Sequence, residues 1–146
     1  MKNSRFFLIS LITILFFGCA TKIENVTVKP EAVQSTNIIA LEELIKRYRH
    51  YWHYFSKNDW EKTYEYELPY QKFFFPYSRY LRFYSTAKKG FKVTLLKIKK
   101  KNDDIVYIKS RYQDKKTSYR FDDKWVRVNG VWYHKFYNST FPVVEY

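Results

Sequence analysis

The sequence predicts an α+β domain, with three N-terminal helices packed on a curved antiparallel four-stranded sheet, and three observations carry that prediction. Residues 38–87 repeat their apolar side chains at helical spacing. From residue 91 onward the chain switches to runs of β-branched and aromatic residues. Asn129-Gly130 between two of these runs is a tight-hairpin sequence, because both central residues of a type I′ turn need positive φ. Helices first and antiparallel strands afterwards is the layout in which helices cover one face of a sheet.

The first helix is predicted from Ile38 to near Lys57. Leu41, Leu44, Ile45, Tyr48, Trp52 and Phe55 recur on one side, while Glu42 with Lys46 and Glu43 with Arg47 pair on the other. Asp59 is placed to cap a shorter helix running to about Leu68, with Trp60, Tyr64 and Leu68 turned inward and Pro69 closing it. A third helical stretch covers Tyr70 to Ala87, interrupted at Pro76, with Phe73, Phe74, Tyr80, Leu81 and Tyr84 as its apolar content. Gly90 ends the helical half. Strands are predicted at Phe91–Lys101, Ile105–Tyr112, Thr117–Val128 and Val131–Tyr137.

A two-residue loop at Asn129-Gly130 fixes the last register. Val128 then faces Val131, Arg127 faces Trp132, Trp125 faces His134 and Asp123 faces Phe136. One face of the hairpin therefore carries Tyr119, Phe121, Asp123, Trp125, Trp132, His134 and Phe136, and Asp123 and His134 are diagonal neighbours on it.

Upstream, Met1 to Arg5 is a short basic start and Phe6 to Phe17 an apolar run of about a dozen residues. That is short of the roughly 20 a transmembrane helix needs and suits a signal peptide. The run ends in Phe16-Phe17-Gly18-Cys19-Ala20, which resembles the lipobox of bacterial lipoproteins, with Phe16 and Phe17 standing where Leu and a small residue are usual. The resemblance implies lipid transfer to the Cys19 thiol, cleavage before it and acylation, such as by palmitate, of the new amino terminus. Ala20 in place of Asp favours the periplasmic face of the outer membrane over the inner membrane. The competing reading cuts after Ala20 and releases the protein from the membrane. Cys19 is the sole cysteine, so neither reading permits an internal disulfide. The expected organisation is a signal peptide at 1–18, a lipidated cysteine and polar, flexible tether at 19–37, and a single domain at 38–146.

The 27 Lys and Arg against 14 Asp and Glu give +13, or +11 once Lys2 and Arg5 leave with the signal. Such a field draws anions in general. Lysines crowd the stretch 88–101, where Lys97, Lys99, Lys100 and Lys101 are candidates for anion docking; a sheet edge guarded against unwanted strand pairing is the plainer explanation. No nucleic acid partner is expected of an exported lipoprotein.

Asn58-Asp59-Trp60 after an amphipathic helix, and Asp123-Lys124-Trp125-Val126 leading through Asn129-Gly130 to Val131-Trp132-Tyr133, resemble the cone-shaped, cystatin-like domains of the nuclear transport factor 2-like superfamily over residues 38–137. The resemblance implies a cavity between helices and sheet, and the superfamily includes isomerases, dehydratases and cyclases.

The functional expectation is a non-catalytic domain of the cell envelope that binds a protein partner or small apolar ligand. The candidate pocket residues are Tyr48, Trp52, Tyr119, Phe121, Trp125, Trp132 and His134. Anchorage is through the lipid, and a homodimer is compatible with such a domain. One alternative is an isomerase- or dehydratase-type enzyme in which Asp123 is a general base helped by His134. Against it stands a purely structural Asp123–His134 hydrogen bond. A second alternative is a basic module adhering to anionic polymers or headgroups. His50 and His53 lie three apart on the first helix, but no third ligand is spaced to join them, so neither a metal nor another cofactor is expected.

Overall fold

The computed structural model describes residues 23–29 and 38–136. The expected signal peptide, Cys19, most of the expected tether and Tyr137 lie outside the described residues. Over these residues the fold is α+β: four helices on a curled, mixed five-stranded half-barrel sheet. In chain order the elements are β1 (Val26–Val28), α1 (Ile38–Ser56), α2 (Trp60–Glu65), α3 (Pro69–Phe74), α4 (Tyr77–Tyr84), β2 (Lys92–Lys100), β3 (Ile105–Gln113), β4 (Ser118–Val128) and β5 (Val131–His134). The strands lie side by side in that same order.

The expected strand and helix counts are corrected. The sheet has a fifth strand, drawn from the segment expected to be a flexible tether: β1 pairs parallel to β2, with Val26 opposite Val93 and Val28 opposite Leu95. Val26 is buried and Thr27 exposed, an alternation real in space but too short at three residues to register as a period. Among the described residues there are four helices rather than three, because the interruption expected at Pro76 is complete and separates α3 from α4, and α2 stops at Glu65 rather than Leu68. Leu68 precedes Pro69 and is extended at φ −53°, ψ 130°, as the clash of a proline ring with the preceding residue requires.

Other boundaries follow local chemistry. Helix α1 ends where Asn58 takes positive φ, and Asn58 Nδ2 donates to Ala87 O at 3.2 Å. Asp59 caps α2 by accepting from the Lys62 amide at 3.3 Å. At the β4–β5 turn both Asn129 and Gly130 have positive φ, and the expected pairs Val128–Val131, Arg127–Trp132 and Trp125–His134 all form. The fourth, Asp123 with Phe136, does not. The Phe136 amide instead donates to Gln71 Oε1 at 2.9 Å, and its ring packs on Phe75, Tyr80, Phe83 and Tyr84.

The main core places Leu44, Tyr48, Tyr51 and Trp52 of α1 against Val93, Leu95, Val106, Ile108, Trp125 and Trp132 of the sheet. A second cluster, Trp60, Tyr80 and Phe136, sits under α2 and α4. Phe73, Phe74 and Leu81, expected as apolar content of the third helix, are exposed instead.

Candidate functional site: a buried acid–imidazole–acid cluster beneath an aromatic cleft

The connection Tyr66–Leu68 between α2 and α3 lies against the end of β5. The His134 amide donates to Tyr66 O at 2.8 Å, and the Leu68 amide donates to His134 O at 3.0 Å. This short parallel pairing sets Glu67 beside His134. Glu67 Oε2 is 2.8 Å from His134 Nδ1, and Asp123 Oδ1 is 3.5 Å from His134 Nε2. All three side chains are buried. The remaining carboxylate oxygens are also occupied. Tyr51 and Tyr80 hydroxyls each donate to Glu67 Oε1 at 3.1 Å, and Trp52 Nε1 donates to Asp123 Oδ2 at 2.9 Å. The Tyr51 ring stacks on the imidazole at 4.2 Å between centroids.

Burial opposes a charge on His134, but the Glu67 carboxylate, then the contacts with Asp123, overcome it and push the imidazole up to about 10. At neutral pH His134 is therefore an imidazolium whose two N–H groups are aimed at two carboxylates. Burial, and after it the Glu67 charge, hold the Tyr51 and Tyr80 phenols well above the usual tyrosine range, so both stay protonated donors.

Above the cluster opens a cleft of about 520 Å³. Trp52, Phe55, Phe91, Tyr112 and Phe121 wall it, and Asp123 and His134 lie at its floor. Tyr112 and Tyr119 face each other across β3 and β4, their rings stacked 4.8 Å apart and 16° from parallel. Tyr119, half exposed, forms part of the rim. Arg120 and Asp122 bring one charge of each sign to the same rim. Asp123 and His134 also border a smaller hollow of about 250 Å³ with Tyr107, Lys124 and Lys135.

Of the seven residues expected to form a pocket, the structure brings Trp52, Tyr119, Phe121 and His134 together around this cleft. Tyr48 and Trp125 are fully buried in the core instead. The Tyr48 hydroxyl is tied to Ser110 Oγ at 2.7 Å, and Trp125 packs against Tyr48, Tyr51 and His134. Trp132 belongs to a different cavity of about 250 Å³, with Leu44, Ile98, Lys100 and Arg127. Asp123 and His134 meet as the hairpin register requires.

Sequence reasoning missed Glu67, Phe91 and Tyr112. Glu67 follows Trp60 and Tyr64 at a helical stride of four and three, so the inward face predicted for α2 includes it. The helix bond pattern that reasoning assumed is replaced by pairing with β5. Phe91 and Tyr112 are ordinary strand residues until β2 and β3 are set in register, when both turn to the cleft.

Lys97, Lys99, Lys100 and Lys101 are all exposed, but they do not share one face. Lys100 sits two residues from the core-packed Ile98 and pairs with Asp103, whereas Lys97 and Lys99 alternate to the opposite side of the sheet. His50 Nδ1 lies 3.4 Å from the Tyr66 hydroxyl, and His53 Nδ1 lies 2.9 Å from Asn25 Oδ1. No group of three His, Cys, Asp or Glu side chains among the described residues is arranged to hold a metal ion, and no described helix is long and apolar enough to cross a membrane.

Comparison with known protein families finds no matching family model, and comparison with curated proteins finds no match.

Proposed function

We propose that this chain is an exported bacterial lipoprotein, anchored through Cys19 at the periplasmic face of the outer membrane, whose domain binds a small apolar ligand in the aromatic cleft without transforming it. The observation that carries the binding role is the cleft itself. Its volume falls within the roughly 300–1,000 Å³ range of small-molecule sites, and aromatic rings make up most of its lining, with Arg120 and Asp122 at the rim and Asp123 and His134 at the floor. The helix-covered curled sheet and the register of the β4–β5 hairpin support assigning the domain to the cone-shaped, nuclear transport factor 2-like type.

A base-catalysed role, the isomerase or dehydratase reading, draws on Asp123 and His134 lying at the cleft floor. Two features favour binding over it. A general base needs a free lone pair directed at its substrate, whereas both His134 nitrogens face carboxylates and Asp123 already accepts from Trp52. An envelope protein partner that inserts an apolar side chain would use the same rings.

Native mass spectrometry of the chain extracted from its own membrane tests the role. A bound small apolar mass is expected, depleted in a Phe121→Ala variant that still melts cooperatively. A bare protein that also binds no apolar probe would reject it. Fractionation of Cys19→Ala tests the anchor separately, with transfer to the non-membrane fraction as the expected outcome.

A further inference from the structure

The aromatic cleft is not the only apolar feature of the domain. Among the described residues, five of the seven exposed large apolar side chains fall within residues 73–83: Phe73, Phe74, Tyr77, Leu81 and Phe83. Phe73 is 83% exposed. The reason lies in how α3 and α4 meet the domain. Gln71 and Tyr80 are their buried contacts, so these short helices spend their inward positions on few residues. Pro76 breaks the chain between them and leaves Phe73 and Phe74 turned outward. The rings of Phe73 and Phe74 meet edge to face at 5.1 Å, and Tyr77 and Leu81 stand one turn apart on α4.

The charge along this stretch of sequence has one sign, with Glu65 just upstream and close enough to act on Lys72. Between Leu68 and Asn102 the sequence holds ten Lys or Arg residues and neither Asp nor Glu. Three of the ten, Lys72, Arg79 and Arg82, are interleaved with the exposed rings. Arg79 lies over the Phe75 ring at 4.9 Å. Among the described residues no salt bridge engages Arg79 or Arg82, and Lys72 donates to the Glu65 carbonyl at 3.0 Å. None of the three cavities described above is lined by Phe73, Phe74, Tyr77, Leu81 or Phe83.

The geometry points to α3 and α4 as a docking face for an anionic phospholipid bilayer, with Phe73 and its neighbours entering the acyl boundary and Arg79 and Arg82 meeting headgroup phosphates. Phe and Leu carry no polar tip and gain nothing from a hydrated partner, while Tyr77 has the amphipathic form that settles at a membrane interface. Apolar rings and cations interleaved on short helices are the pattern of segments that lie in an interface rather than cross it. A peptide would need a groove, and a fluid lipid surface does not. The acid-free stretch selects an anionic surface over a neutral one. This face is independent of the cleft and is distinct from the lysines at 97–101.

Spin-label depth measurement tests it on the full chain. In a Cys19→Ser background, Phe73→Cys supplies the single thiol for a nitroxide. On phosphatidylglycerol vesicles the label is expected to become more accessible to oxygen than to an aqueous nickel complex. The reversal Arg79→Glu with Arg82→Glu should weaken vesicle affinity about tenfold or more, as should pure phosphatidylcholine. Both arginines are exposed, so the thermal melt should be unchanged. A label that stays open to aqueous nickel on vesicle-bound protein would overturn the assignment, since the chain would then be held through another segment. Failure to bind, or affinity indifferent to charge reversal, would overturn it too. An acidic protein partner that protects the label where vesicles do not would replace the bilayer as the occupant.

Discussion

His134 Nδ1 and Glu67 Oε2 stand 2.8 Å apart in the domain interior, joining the last strand to the connection between α2 and α3. The contact makes one buried charge depend on another. A buried ion pair is no guarantee of net stability, but removing one partner strands the other, which costs about 3–5 kcal/mol.

That dependence gives stability a pH signature. Because the folded-state value for His134, about 10, lies above the ordinary 6.5, the protonated ring's contribution is complete below about pH 6.5. It is lost progressively as pH rises through about 10. Thermal melts should therefore fall across that alkaline window in the wild type. In His134→Gln the same window should be flatter, and parallel curves would count against a charged ring.

Glu67→Gln keeps the shape and an acceptor for Tyr51 and Tyr80 but removes the negative charge. A loss of about 3 kcal/mol is expected from chemical denaturation. The His134 titration should move to lower pH as well, since its nearest anion is gone. A stability change without that shift would mean that Glu67 matters for packing alone.

Trp125 and Tyr119 share a face of β4 and have opposite fates. Trp125→Ala empties a fully buried site and should cost about 3–5 kcal/mol. Tyr119→Ala at the half-exposed rim should change stability by no more than about 0.5 kcal/mol, while weakening uptake of an apolar probe measured by fluorescence titration.

At the hairpin, Gly130 has φ +79°, and a Cβ there would meet nothing within 4 Å. The cost of Gly130→Ala is then conformational alone, about 1–2 kcal/mol by denaturant unfolding. A cost near zero would imply that the turn readily changes type.

How much of this was legible in the sequence depends on how local the cause is. The α1 periodicity, the Asp59 cap, the break at Pro76 and the Asn129-Gly130 turn each reside in a few neighbouring residues, and the structure has all four. The approach of Asp123 to His134 followed because a two-residue turn fixes register at a distance. Strand β1 was not legible, since three residues draw their strand character from Val93 and Leu95, far along the chain. The Glu67 role was hidden for the same reason. Its spacing from Trp60 and Tyr64 turns it inward, but nothing local names the imidazole that β5 brings beside it. Tyr48 and Trp125 were placed on the correct side of their elements, but no sequence pattern separates a ring that lines a cleft from one packed a layer deeper.

The most direct test is the protonation state of the imidazole that floors the cleft. Nitrogen-15 NMR of His134 at pH 7 should give two protonated ring nitrogens, the state that denies the cleft a free base and leaves it a place to hold a ligand. A neutral ring with one bare nitrogen at that pH would contradict the account and return the cleft to base catalysis.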